Sequence, residues 1–533
     1  MHHAFHLDPS VDLATLAEGL PAGFRADEPV GEPMRRLYLD THDWCLTDRG
    51  GPLRVDETTE VWVAVRESAE TGEARDPVAV AGVPGGPMDL PEGALRDAAL
   101  KATRIRAFLP MAEVEGRCWQ APVRNGDGQV VVRLHGEEGA ARVPRDALLL
   151  PGQGAADGAA SALPRRLELL PVKGYGDELV EVAAALAWLR GVEPATATPF
   201  AEAVAAAGGR RPGDYSSRID IRLKRKQPAA EAARRIHRHL LTTLEANIEG
   251  ARTGRDTEFL HDLRVSTRRI RSALAGIKGV FPPGPLADFK ERFRWLGNET
   301  GPTRDLDVFL LVFDDYRARL PEPLRDELGP FRDFLERRHR EEQQALARRL
   351  ASPHFRKLLK DWHAFLEAEP PAGEEAPNAE RPARAVADEQ IWKRYRRVLK
   401  EGRAINDDSP HTEIHELRKS CKKLRYLLEF FQDLYPSKRI QPPIKAIKAL
   451  LDHLGEFQDR EVHAQRIREF ARAMADEGTA PAETLLAMGA LVDDLLRQQS
   501  EVRAAFPQRF AEFDNKATGR AFKKLFKPAG KGG

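Results

Sequence analysis

Two segments of the chain place a histidine and a run of cations at helical spacing. The first reads His261-Asp-Leu-Arg264-Val-Ser-Thr-Arg268-Arg269-Ile-Arg271. The second, 154 residues later, reads His415-Glu-Leu-Arg418-Lys419-Ser-Cys-Lys422-Lys423-Leu-Arg425. On a helix of about 100° per residue, His261, Arg264, Arg268 and Arg271 fall within about 80° of arc, flanked by Arg269 and Ser272. His415, Arg418, Lys422 and Arg425 repeat the stripe, flanked by Lys419 and Lys423. Like charges at i,i+3 and i,i+4 repel by about 0.2–0.5 kcal/mol per pair. Such a stripe is locally unfavourable unless a polyanion or a set of carboxylates lies along it. Arg offers bidentate geometry for phosphate, Lys a point charge, and a histidine a hydrogen bond whose cationic form phosphate favours. A solvated face neutralised by acids such as Glu291 and Glu429 is the plainer alternative, and metal ligation by His261 and His415 is a third. Within either motif no second His or Cys stands at ligand spacing from the first. A histidine opening both copies is not solubility chemistry, so anion binding leads.

The elements that carry the stripes belong to a longer repeat. At the same offset Phe281-Pro282 answers Tyr435-Pro436, Leu296 answers Leu450, and Arg294 answers Lys448. Gly301-Pro-Thr-Arg304-Asp305-Leu-Asp-Val308 answers Gly455-Glu-Phe-Gln458-Asp459-Arg-Glu-Val462. Between 261 and 308, 11 of 48 positions are identical without a gap. That is enough to infer two homologous multi-helix halves related by a pseudo-two-fold.

Charge divides the chain in the same way. The 533 residues carry a net charge of +1, which alone argues against a polyanion binder. Residues 1–200 hold 20 Lys and Arg against 31 Asp and Glu, net −11, and the remainder is net +12. An acidic front half is joined to a basic back half. The front half is rich in Gly, Pro and Val, with alternating runs Glu60–Arg66 and Gln129–Leu134 and a turn at Asn125-Gly-Asp-Gly128. Helical stretches interrupt near Val11–Leu20 and Asp177–Arg190. The expected fold class is α+β multidomain: a mainly antiparallel β domain at 1–200, a linker at 201–219, then an all-α, internally duplicated helical bundle at 220–520. Its halves cover about 220–366 and 385–520, joined by an acidic, Pro-rich linker at 367–384. A basic disordered tail is expected at 521–533. Three dispersed cysteines, Cys45, Cys118 and Cys421, point to a reducing, cytoplasmic compartment. No run of about 18 apolar residues suggests a membrane span.

The back half resembles the CHAD family, the conserved histidine α-helical domain, over roughly 220–520. The carrying motifs are His261–Arg271, Gly301–Val308 and His415–Tyr426. The resemblance implies an all-helical, duplicated fold around a basic pore or groove that binds inorganic polyphosphate, often at polyphosphate granules. Carried over by position, His261, Arg264, Arg268, Arg269, Arg271, His415, Arg418, Lys419, Lys422, Lys423 and Arg425 would contact phosphates, with Arg294, Arg304 and Lys448 as further candidates. No cofactor is implied beyond a divalent cation accompanying the polymer. The stripes lack interleaved aromatics for base stacking, which favours polyphosphate over single-stranded nucleic acid.

The front half resembles the CYTH or triphosphate-tunnel family in Leu37-Tyr38-Leu-Asp40-Thr41, in Gly50-Gly-Pro-Leu-Arg54-Val, and in Arg165-Arg-Leu-Glu168-Leu-Leu170 followed by Asp177-Glu-Leu. Active members hold metal and triphosphate on an N-terminal Glu-x-Glu-x-Lys strand. Here that stretch reads Met1-His2-His3-Ala4-Phe5-His6. Asp56 replaces the second Arg after Arg54, and the later strand keeps only Glu168. Arg54, Arg66, Arg117 and Arg133 remain to line a tunnel. The expectation is a degenerate domain without catalytic residues or a metal, with a metal-dependent triphosphatase as the alternative.

Overall fold

The computed structural model describes residues 3–58, 61–68, 70–148, 159–369 and 374–528. The chain divides into two compact units between Ser216 and Ser217.

Among the described residues the first unit is built on eleven antiparallel strands: β1 (His3–Leu7), β2 (Arg25–Ala26), β3 (Val30–Asp40), β4 (Leu53–Glu57), β5 (Trp62–Glu67), β6 (Ala74–Val80), β7 (Leu109–Arg124), β8 (Val130–Arg142), β9 (Ser161–Ala162), β10 (Arg165–Pro171) and β11 (Val192–Pro194). The order along the sheet is β11-β1-β10-β8-β7-β3-β4-β5-β6, with β2 on β7 and β9 on β8. Asn125-Gly-Asp-Gly128 closes the β7–β8 hairpin, and Gly128 takes φ +76°, which an L side chain resists. Period-two alternation sorts the side chains into faces. Phe5, Leu7, Val123, Leu167 and Leu169 pack with Leu179, Val182 and Leu186 of the helix Gly176–Leu186. The opposite face is ionic. Across the ladders Arg36 faces Asp56, Tyr38 faces Arg54, Arg166 faces Glu137, and Glu168 faces His135. Arg36 on β3 bonds Glu137 on β8 at 2.8 and 2.9 Å across the intervening β7, so this face is concave. The helix Pro199–Ala207 lies on it. Its Phe200 amide donates to Glu67 at 3.1 Å, and Glu202 takes His6 at 2.6 Å and Arg166 at 3.2 Å.

The second unit is helical, and its duplication is geometric. The first stripe helix spans Thr257–Gly276 and the second His411–Phe430, with both ends shifted by the same 154 residues. The helices leading to them, Ala229–Ala246 and Ala383–Ala404, start 154 residues apart. Between them Pro228 bridges Pro382, its own repeat mate. Ala229 N–H donates to the Arg381 carbonyl, and Ala383 N–H to the Gln227 carbonyl, each at 2.8 Å. That reciprocal pair is what a two-fold operation requires. The following helices differ. The first half breaks at Thr300 into Pro283–Glu299 and Gly301–Leu311, while the second continues unbroken as Ser437–Asp476. A shared core of Leu306, Phe309, Phe313, Phe331, Leu335, Ile467, Leu491 and Leu495 welds the halves together.

Three expected boundaries are corrected. The stretch 201–219 is not a free linker: Phe200, Ala203, Val204 and Ala207 are buried, and Arg210 bonds the His42 carbonyl, because this segment covers the concave face. Of the acidic linker 367–384, residues 370–373 lie outside the described residues. Beyond them Asn378 is docked on the Gly279 and Lys278 carbonyls, and Ala376 and Ala379 are buried. The basic tail is helical as far as Phe526, because Phe522 stacks on Tyr395 at 3.9 Å and Phe526 is fully buried. Residues 529–533 lie outside the described residues.

The concave face of the first unit yields a stability prediction. Arg36 is 5% exposed and is the cation for both Glu137 and Asp56. Arg36→Leu removes the two-bond partner of Glu137, leaving it His135, and leaves Asp56 to Arg54; it should cost about 1.5–3 kcal/mol, and the double variant R36L/E137L recovers part of it. Denaturant unfolding of the full-length protein measures both.

Candidate functional site

The two stripe helices bring Arg264, Arg268, Arg418 and Lys422 to one cavity of about 400 Å³ in the second unit. Its wall includes His261, Arg264, Arg268 and Arg304 from the first half, and Arg418 and Lys422 from the second. Also present are Asp305, Asp459, His463 and Arg466. Several lining residues are repeat mates: Arg264 with Arg418, Arg268 with Lys422, Asp305 with Asp459, Val308 with Val462. The pseudo-two-fold therefore runs through the cavity.

Each guanidinium is held differently. Arg264 donates to the Gly297 carbonyl at 2.9 Å and to Thr300 Oγ1 at 3.0 Å, using the opening where the helix breaks. Arg418 lies 3.6 Å from Asp459. Gly301 and Gly455, again repeat mates, lie beside these heads: a Cβ there would meet Arg264 at 3.7 Å and Arg418 at 3.4 Å, ordinary contact distances. Arg268 donates through Nε to Tyr426 at 2.9 Å, and Arg304 to the Thr257 carbonyl at 3.0 Å. Arg466 spans Asp305 and Glu469, each at 2.9 Å. Among the described residues neither Arg268 nor Lys422 has a carboxylate within 4 Å.

Six Arg or Lys side chains thus face two Asp in the wall. Lys422 shows the effect. Burial, then Arg418 and Arg268, push its ammonium down to about 8, against the pull of Asp459. Burial likewise lowers Arg264 and Arg418, with Arg268 adding to both.

The remaining sequence candidates do not line this cavity. Arg425 pairs with the buried Glu429 at 2.8 Å, and Lys448 approaches it at 3.7 Å. Arg269 turns the same way, donating to the Ser217 carbonyl at 2.7 Å. Arg271 lies against Gly297 and shares the neighbourhood of Arg294, which pairs with Glu291 at 3.2 Å. Lys419 pairs with Glu416 at 2.8 Å, and Lys423 is depressed by burial and by Arg394 and Arg397. His415 bonds Gln458 through Nδ1. The stripe is therefore split among three faces of its helix. His463 and Arg466 were missed by motif reading because their repeat mates are Phe309 and Val312. The signal was the spacing Asp459, Val462, His463, Arg466 at i, i+3, i+4 and i+7 along one helix.

Among the described residues of the first unit, the tunnel candidates are placed as follows. The strand β1 carries no carboxylate, and Arg166 bonds Glu168 at 2.9 Å. Arg54 lies 3.0 Å from Asp56 and 3.6 Å from Glu67, and Arg66 donates to the Arg49 carbonyl. Arg117 and Arg133 are exposed. Among the described residues no three His, Cys, Asp or Glu gather closely enough to hold a metal. These residues do not fit a divalent-metal triphosphate site, since in-chain arginines already occupy the carboxylates. No helix among the described residues is long and apolar enough to cross a membrane.

Comparison with known proteins bears on the second unit. Residues 235–468 match the family model of the CHAD domain and are such a domain. The uncharacterized protein MT2285 of Mycobacterium tuberculosis (strain CDC 1551 / Oshkosh) is 27% identical over 268 residues, 47% of this chain and 48% of that protein. The chain thus spans about half the length of the curated relative it matches. The crystal structure of the CHAD domain from the plant Ricinus communis is similar at 26% identity and a TM-score of 0.46, over 55% of this chain and 97% of that one. PptA from Streptomyces chartreusis is similar at 15% identity and a TM-score of 0.42, over 53% of this chain and 99% of that one.

The electrostatics predict how Lys422 titrates. Asp459 supports its cationic form, so Asp459→Asn should lower the Lys422 pKa further below about 8. NMR of ¹³C-labelled lysine in the full-length protein, with Lys422→Arg removing the signal for assignment, reads the change.

Proposed function

We propose that this CHAD-domain protein binds inorganic polyphosphate in the cavity between the two stripe helices, without a reaction, and that it works at polyphosphate granules. The observation that carries the reading is the charge of the wall. Six cations face two carboxylates, and Arg268 and Lys422 have no acid of their own. A linear polymer of phosphate supplies the missing negative charge at a regular interval and accepts bidentate donors from Arg264, Arg268 and Arg418. It presents no base edge, and the wall provides no stacking platform: Phe309 is its one Phe, Tyr or Trp ring and is 2% exposed in the apolar core. Inorganic polyphosphate therefore suits the cavity better than single-stranded nucleic acid.

Charge reversal tests the reading. R268E/K422E should weaken long-chain polyphosphate binding by at least about a hundredfold, at about 1.5–3 kcal/mol per charge-assisted bond. Unchanged affinity at matched salt, or preference for single-stranded DNA in competition, overturns it.

The pH dependence has a defined sign. A bound phosphate favours the Lys422 cation, so its pKa rises on binding from about 8. Affinity should be greatest below pH 8 and fall as the pH climbs through 8. Lys422→Arg, which stays charged, should flatten that fall in a binding titration from pH 6.5 to 9.5.

A further inference from the structure

The cavity is two-fold in its cations but not throughout its wall. Where the first half presents Phe309, the second presents His463, whose ring centroid lies 4.8 Å from the Phe309 ring. His463 bonds the Tyr316 hydroxyl through Nδ1, with the rings edge to face at 5.9 Å. Tyr316 is 8% exposed, and burial pushes its hydroxyl up to about 12, so it keeps its proton. Nδ1 is its one protein partner among the described residues, and a phenol that keeps its proton donates it there. A neutral His463 then carries its own proton on Nε2, which has no protein partner among the described residues, and the side chain lines the cavity. The charged groups about the ring are Asp459 one turn earlier and Asp305 from the facing helix. Arg466 follows on the next turn, bound to Asp305, and Arg319, Arg460 and Asp315 surround Tyr316. Burial lowers His463 against the pull of the two carboxylates, so the ring is a neutral donor at neutral pH.

We propose that His463 is a phosphate-contacting residue of the cavity, its Nε2–H aimed at the bound anion, and that Tyr316 is the positioning residue that fixes that tautomer. The inference rests on the anion-binding reading of the cavity. When the ring protonates beside a bound phosphate, the Tyr316 hydroxyl rotates to accept from Nδ1. Nε2–H faces the ligand in both states, and this half of the wall gains a contact that Phe309 cannot make.

The test uses the full-length protein, ¹⁵N-labelled at histidine, with tripolyphosphate as probe. His463 should show the Nε2–H tautomer when free. Saturating probe should shift its Nε2 resonance and raise its pKa. His463→Phe installs the ring the first half already carries at this place, and should weaken tripolyphosphate binding roughly tenfold. His463→Gln, whose amide can donate, should recover part of the loss. Tyr316→Phe should release the tautomer and weaken binding with His463 still present. If the His463 resonances stay fixed at saturating probe while K422E abolishes binding, the cavity holds anions without His463 and the inference falls. If the wild type does not bind tripolyphosphate or longer chains at all, the underlying reading falls instead.

Discussion

Everything in the second unit answers one electrostatic constraint: several permanently charged guanidiniums must be held beside one another with too little negative charge nearby. Each such approach destabilises the fold, and in a half-buried cavity screening by salt is weak. At Lys422 burial first, and then Arg418 and Arg268, disfavour the cation. The opposing stability lies elsewhere, in the shared aromatic and aliphatic core that joins Phe309, Phe313 and Phe331 to Ile467 and Leu491. The reciprocal backbone bonds at Ala229 and Ala383 add a second fixed point. The core reaches the cavity wall at Phe309. Together the core and these bonds fix the distance between two helices that would otherwise separate.

The first unit meets its charges by the opposite route. Arg36, Arg54 and Arg166 also line a concave face, but each has a carboxylate within 3.0 Å, supplied from a neighbouring strand or its own. A buried cation with a complete partner set is a structural element, and losing one partner is costly. The same residue type is thus neutralised in one unit and left open in the other. The formal net charge of +1 hides this contrast entirely. The balance within each wall differs: the arginines of the first unit's face meet carboxylates, and the cavity of the second unit lines up six Arg or Lys with two Asp.

The duplication and the helical register of the stripes were legible because both are one-dimensional. An offset of 154 and a 100° step need only the sequence, and the stripe-helix ends obey that offset. The partition of the stripe was not legible. Arg269 and Arg271 lie within the motif, yet one turns to the Ser217 carbonyl and the other to Gly297, because neighbouring helices decide which arc of the stripe sees the cavity. Glu429 was named as a possible neutralising acid, and it does take Arg425 and Lys448 out of the cationic set. The front strands and their turn at Asn125–Gly128 followed from alternation and glycine. The packing of 201–219 did not, since the short helix and linker read over 196–216 show no surface to receive Ala203 and Ala207 until the concave sheet is there.

The departures from symmetry carry the finer chemistry. A duplicated fold begins with two equal half-sites, and identical walls would treat both sides of a bound polymer alike. Here the helix break at Thr300 gives Arg264 a carbonyl and a hydroxyl to lean on, while the unbroken partner helix leaves Arg418 to Asp459. Arg304 answers Gln458, which instead holds His415, and Arg466 answers Val312. In the first half Arg264 and Arg268 lean on backbone or hydroxyl groups, and Arg304 also lies 3.8 Å from Asp307 and 3.9 Å from Glu258. The second half adds Lys422 and His463, whose charge depends on pH and on the ligand itself. On the proposed reading, one side of the cavity supplies fixed charge and the other supplies charge that an anion raises on binding.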